Sequence, residues 1–189
     1  MFNKSLAIAA LLLATPVMAE GDGPGPNLVI EISGAANGTV VIDLNIESAP
    51  LHVAQIVALA QAGAYDNVVF HRVIEGFMAQ TGDVQYGKVG GDLSMAGMGG
   101  SDLPNIGAEF STTLSFERGT VGMARAQDPD SANSQFFIMF APGDSLNGQY
   151  TVLGQVISGM EVVDAIKRGE GDNGEVSTPD VMTKVTVAE

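Results

Sequence analysis

The chain has 189 residues, no cysteine, and a formal net charge of −14 from 8 basic and 22 acidic residues. That length fits one domain, and 46% hydrophobic residues are enough to fill a core. The missing thiols exclude disulfide staples, thiol nucleophiles and thiolate metal sites, and so acidic a surface argues against nucleic acid or anionic lipid as a partner.

The first elements are those of a targeting segment. Lys4 supplies a positive start, Leu6 to Ala14 an apolar run, and Val17-Met18-Ala19 a small-x-small cleavage site. The apolar run is shorter than the roughly 20 residues a membrane span needs. Residues 1–19 therefore read as a signal peptide cleaved after Ala19, with export to a bacterial periplasm and no membrane insertion afterwards. Residues 20–27, rich in Gly and Pro, read as a flexible leader, and residues 28–189 as the folded domain.

Alternating apolar residues predict strands over Leu28–Ile32 and Thr39–Leu44, joined by a turn from Gly34 to Gly38. Pro50 then opens a helix whose apolar stripe runs from Leu51 to Leu59 and which Gly63 closes. His52 falls on that helix as an ordinary surface residue. Val68–Val73 and Phe77–Gln80 predict strands broken by Glu75-Gly76. Gly82 to Gly107 is an irregular Gly-, Met- and Asp-rich stretch, long enough to read as functional or disordered. Strands follow at Leu114–Phe116, Gly119–Ala124, Gln135–Phe140 and Tyr150–Ile157. A second helix is predicted from Glu161 to Arg168 and a last strand from Met182 to Val187. Many short strands with two helices predict a mostly β domain, a closed barrel whose ends the helices cover.

The stretch from Phe70 to Asp83 carries most of the chemistry. Period-two alternation turns Arg72 and Gln80 toward one surface with Phe77 or Met78, and turns His71 away. A second run, Asn133 to Phe140, adds aromatic surface, with Phe137 on one face of its strand and Phe136 on the core side. A guanidinium beside an apolar slot, without a strong acid/base pair, suits a reaction that breaks no covalent bond. His52 and His71 lack a third ligand at metal spacing, so no metal and no cofactor is expected.

Phe70-His71-Arg72 with Gly76-Phe77-Met78 and Gln80-x-Gly82-Asp83, then Gly119 to Ala124, then Ser134-Gln135-Phe136-Phe137-Ile138, resemble the cyclophilin family of peptidyl-prolyl cis-trans isomerases. The resemblance runs from about Leu28 to Val187 and is closest to bacterial exported members, whose glycine-rich segment Gly97-Met98-Gly99-Gly100-Ser101 resembles. It implies a closed eight-stranded antiparallel barrel capped by two helices, with a proline site on its outer face. It also implies Arg72 as the catalytic residue and Phe77, Met78, Phe137 and Leu146 as pocket walls. Gln80 would hydrogen-bond the substrate backbone, and Ala124 and Gln135 would line an adjoining groove. Tyr150 stands at the family's common pocket His, Ser145 at the Trp associated with cyclosporin binding, and Arg125 where many members have Asn. That second positive charge near the groove would favour acidic peptides.

The sequence thus predicts a cofactor-free prolyl isomerase, monomeric, acting on proline-containing peptides and unfolded exported proteins. The alternative is a peptide-binding module or holdase chaperone on the same fold, with little catalysis.

Overall fold

The computed structural model describes residues 22–188. The signal peptide expected at residues 1–19, with its cleavage point, lies outside the described residues.

Strands β1 (Asn27–Ser33) and β2 (Gly38–Leu44) form the first antiparallel hairpin. Leu28, Ile30 and Ile32 of β1 and Val40, Ile42 and Leu44 of β2 all turn inward, as the alternation requires. Ahead of β1 the chain lies against β2, where a Cβ on Gly25 would stand 1.9 Å from the Leu44 carbonyl oxygen.

Helix α1 (Pro50–Gln61) starts with proline at its first turn and ends in left-handed Gly63 at φ 69°. The Gly63 N–H donates to Ala60 O and the Ala64 N–H to Leu59 O, both at 2.9 Å, a glycine-terminated cap that satisfies two orphan carbonyls. At the other end Ala49 has no side-chain oxygen to cap with. Glu109 does so from 57 and 58 residues downstream, accepting from Leu51 N at 3.1 Å and His52 N at 3.0 Å. His52 is therefore not the surface residue expected. It is fully buried, with Nδ1 2.5 Å from Glu109 Oε2. A local reading of the helix sees the polar residue but not the distant carboxylate that covers it.

The strand expected over Val68–Val73 is split into β3 (Val68–Val69) and β4 (Arg72–Ile74). Phe70-His71 leaves the ladder between them, Phe70 N donating to Asp180 O and Val176 N to His71 O. β5 (Met78–Thr81), β6 (Thr120–Met123), β7 (Phe136–Met139), β8 (Val152–Ser158) and β9 (Val181–Ala188) complete one sheet. Its order is β3-β9-β1-β2-β8-β6-β7-β5-β4, every neighbouring pair antiparallel.

This corrects the eight-stranded closed barrel to nine strands in a curled, half-barrel sheet. The single strand expected over Val68–Val73 is two short ones at opposite edges, β3 pairing with β9 and β4 with β5. The mostly β class and the two helices stand. α1 packs on β9, and α2 (Met160–Ala165) packs on β2. α2 stops three residues short of Arg168, because Ile166 leaves the helix at ψ 130° to bury its side chain. No strand forms at Leu114–Phe116. Phe116 is held there by Asn147, whose Oδ1 accepts its N–H at 2.8 Å, and by Gly143 N donating to its carbonyl.

Two apolar clusters result. The large one fills the concave side of the sheet and includes Val73, Ala79, Val121, Phe136 and Ile138. A smaller one, with Met78, Phe116, Phe137, Met139 and Val152, covers the outer face of β5, β6, β7 and β8. Successive residues of β7 alternate between them, which is why the whole strand is buried.

Candidate active site

Register sets the site in a single row. Arg72 pairs with Gln80 across β4–β5, Gln80 with Phe137 across β5–β7, Phe137 with Gly122 across β7–β6, and Gly122 with Val152 across β6–β8. Cross-strand partners share a face, so one line across five strands carries a cation, an amide, an aromatic ring and a glycine. Gly122 is needed there, since a Cβ on it would meet Phe137 Cζ at 2.5 Å and Phe116 Cε1 at 2.6 Å. Without that Cβ the tip of the Phe137 ring sits directly over Gly122.

Over this row opens a cavity of about 200 Å³, lined by Arg72, Phe77, Met78, Gln80, Ala124, Arg125, Phe137, Leu146 and Tyr150. The structure thus brings together eight of the nine site residues named from the sequence. Gln135 lines an adjoining cavity of about 540 Å³ instead, with Gly97, Met98, Gly99 and Asn133, and Gln80, Ala124 and Arg125 border both. The apolar wall has a second layer that sequence reading missed. Phe116 stacks behind Phe137 at 5.8 Å and 22°, and Tyr150 meets Phe137 edge-on at 5.9 Å and 83°. Arg125 lies over the Tyr150 ring with its guanidinium carbon 4.5 Å from the centroid, and donates to the carbonyls of Ala126, Gln127 and Gln149. Ser145 is exposed beside the wall that Leu146 forms.

Arg72 has no carboxylate partner among the described residues. Nε donates to Asn173 O at 2.9 Å and Nη1 to Gln80 Oε1 at 3.2 Å. Burial holds its pKa below the ordinary guanidinium value, partly opposed by Tyr150, and a guanidinium stays charged throughout the neutral range. From Gln80 the bonds continue: Nε2 donates to Gln135 Oε1 at 2.9 Å, and Gln135 Nε2 donates to Gly97 O at 3.0 Å and Gly99 O at 2.8 Å. One end of this chain only donates and the other only accepts. Both amides must therefore face as they do, and neither can flip without breaking the run.

His71 stays away from the cavity, lining a separate one with Leu93, Ser94 and Glu175. Burial pulls its pKa down to about 4, partly opposed by Asp83. Among the described residues no three His, Asp or Glu side chains converge as metal ligands.

The chain matches the family model "Cyclophilin type peptidyl-prolyl cis-trans isomerase/CLD" over residues 28–187. It is 50% identical over 184 residues to the "Probable peptidyl-prolyl cis-trans isomerase" of Brucella suis, covering 96% of this chain and 92% of that protein. Its fold is similar to a crystal structure of a cyclophilin from Hirschia baltica, with a TM-score of 0.71 and 26% identity over 87% of this chain and 74% of that one. A Cryptosporidium parvum cyclophilin-type isomerase, crystallised in the presence of the dipeptide Ala-Pro, superposes with a TM-score of 0.74 at 24% identity, covering 86% of this chain and 99% of that one.

Proposed function

The chain belongs to the cyclophilin-type peptidyl-prolyl cis-trans isomerases, and we propose that Arg72 is the group through which it accelerates X–Pro rotation. The peptide C–N bond resists rotation by about 18–20 kcal/mol because of its resonance. Twisting it localises the lone pair on the prolyl nitrogen. A donor aimed at that nitrogen binds the twisted state better than either planar one and lowers the barrier. An electrostatic preference of about 3–4 kcal/mol accounts for roughly 10²–10³ in rate.

The observation that carries this reading is the environment of the guanidinium. It is only half-buried and has no carboxylate partner among the described residues. It is held by Nε and Nη1, while Nη2 makes no hydrogen bond to the described residues. Met78, Phe77, Phe137 and Leu146 beside it suit a pyrrolidine ring, and Gln80 and Gln135 suit the flanking peptide. The substrates in this reading are proline-containing peptides and unfolded exported proteins, met by a monomer in the periplasm. Lys4, the Leu6–Ala14 run and Val17-Met18-Ala19 support export, which N-terminal mass spectrometry of the periplasmic fraction tests.

A second reading, a holdase on the same fold, is favoured by the wider cavity beyond Gln135, with Met98 76% exposed at its edge. Arg72→Ala, assayed in parallel for X–Pro exchange and for suppression of client aggregation, separates the two. Loss of exchange with aggregation suppression intact supports the catalytic role of Arg72. Unaltered exchange removes it.

A further inference from the structure

Asp83 is a fully buried residue, and no Lys, Arg or His pairs with it among the described residues. Four backbone N–H groups satisfy it instead. Oδ1 accepts from Gln85 N at 3.0 Å and Tyr86 N at 2.8 Å, closing a local turn. Oδ2 accepts from Gly97 N at 2.7 Å and Gly99 N at 2.9 Å, which lie 14 and 16 residues ahead. Hydrogen bonds to a carboxylate are the stronger kind, and a buried one is retained only where such bonds offset its desolvation.

Gly97 and Gly99 therefore have two sets of partners. Their N–H groups are gripped by Asp83, and their carbonyls receive both protons of Gln135 Nε2. We propose that Asp83 is a positioning residue for Arg72: by holding Gly97 and Gly99 it holds the two acceptors that orient Gln135, which orients Gln80, which orients the guanidinium. The inference rests on the reading of Arg72 as donor to the prolyl nitrogen. If the glycine segment moves away, Gln135 is free to turn its NH₂ toward Gln80. Gln80 then meets it only by presenting its own oxygen there and its NH₂ to Arg72, donor against donor. A carboxylate that served only to fold the loop would leave the guanidinium where it is.

The test is Asp83→Asn, which keeps the shape of the side chain and exchanges one acceptor oxygen for an NH₂. Line-shape NMR on an X-Pro peptide gives kcat and KM separately, and arginine side-chain NMR reports rotation of the Arg72 guanidinium about its Nε–Cζ bond. The expected result is a fall of about tenfold in kcat, KM within roughly twofold, and faster guanidinium rotation. A folded variant with wild-type kcat, or with wild-type Arg72 rotation, overturns the proposal. Should Asp83→Asn not fold, Gln135→Leu cuts the chain one link further on at a half-buried position. It is expected to release Arg72 in the same way, and a wild-type Arg72 signal there also overturns the proposal. Failure of the underlying reading looks different: Arg72→Ala then keeps full activity, while guanidinium rotation still reports whether Asp83 places it.

Discussion

Arg72 and Gln80 face each other directly across the β4–β5 ladder, and the guanidinium donates to the amide oxygen at 3.2 Å. A cation that would otherwise sweep the surface on a flexible stem is thereby held beside an apolar cavity, with a second bond to Asn173 O behind it. Two contacts made by one planar group fix its direction as well as its position.

Arg72→Ala is accordingly expected to lower kcat by roughly 10²–10³, read by NMR exchange on an X-Pro peptide. Urea melts should shift little, since the side chain is half-exposed and has no carboxylate partner among the described residues. Arg72→Lys is expected to restore little of the rate. An ammonium lacks the planar fork that reaches Asn173, Gln80 and a substrate nitrogen together.

Gly122→Ala should damage the site without touching a polar group. The new Cβ would stand 2.5 Å from Phe137 and 2.6 Å from Phe116, so the stacked pair must move and Phe137 is driven into the cavity. Overpacking of this kind costs about 1–3 kcal/mol in stability. Binding of a proline peptide is expected to weaken by roughly tenfold, measured by titration calorimetry against an active-site variant as control.

The catalytic rate should be nearly flat from about pH 6 to 8, because the chemistry proposed for Arg72 uses no group that titrates there. Stability behaves differently, through His71. Its folded pKa, about 4, lies below the unfolded 6.5 because burial disfavours the charged ring. Above pH 6.5 both states hold it neutral and its contribution is complete. As pH falls from 6.5 toward 4 only the unfolded state takes the proton, and about 3 kcal/mol is lost. Urea melts at pH 7.5 and 4.5 measure this, and His71→Leu should remove that part of the slope. Asp66 and Asp164, whose pKa values are lowered by Lys184 and Arg118, titrate below the same window.

Glu109→Ala should loosen α1 from a distance. It uncaps Leu51 N and His52 N and leaves the buried His52 Nδ1 without a partner. The expected loss is about 1–3 kcal/mol in a urea melt, with peptide exchange at 25 °C little altered. A variant as stable as wild type would show that the helix start needs no outside cap.

Cyclosporin should bind weakly, since Ser145 offers neither an indole ring nor its N–H. Losing such a contact costs about 2–4 kcal/mol, roughly 30- to 1000-fold in affinity. Ser145→Trp is expected to tighten binding with little change in peptide turnover, because the side chain is exposed and the cavity wall is Leu146. Nanomolar binding by the wild type would mean that another residue supplies the contact.

Local periodicity made much of this protein legible in the sequence. Period two places Leu28, Ile30 and Ile32 in the core, and parts Phe136 from Phe137 and His71 from Arg72. Proline and glycine mark both ends of α1. These follow from the geometry of a few adjacent residues, which any stretch of chain carries with it. Other features needed partners brought from far away. Nothing near His52 announces Glu109, nothing near Gly97 announces Asp83, and Phe116 lies in irregular chain with no period to show which ring it backs. The split into β3 and β4 has the same origin, because backbone groups around residues 70 and 71 bond to residues 176 and 180 rather than to a continuing ladder. Adjacent residues set most of the elements and the chemistry each can offer. The register that puts Arg72, Gln80, Phe137 and Gly122 in one row arises only when the strands meet, since pairing is a contact between segments and belongs to no single one of them.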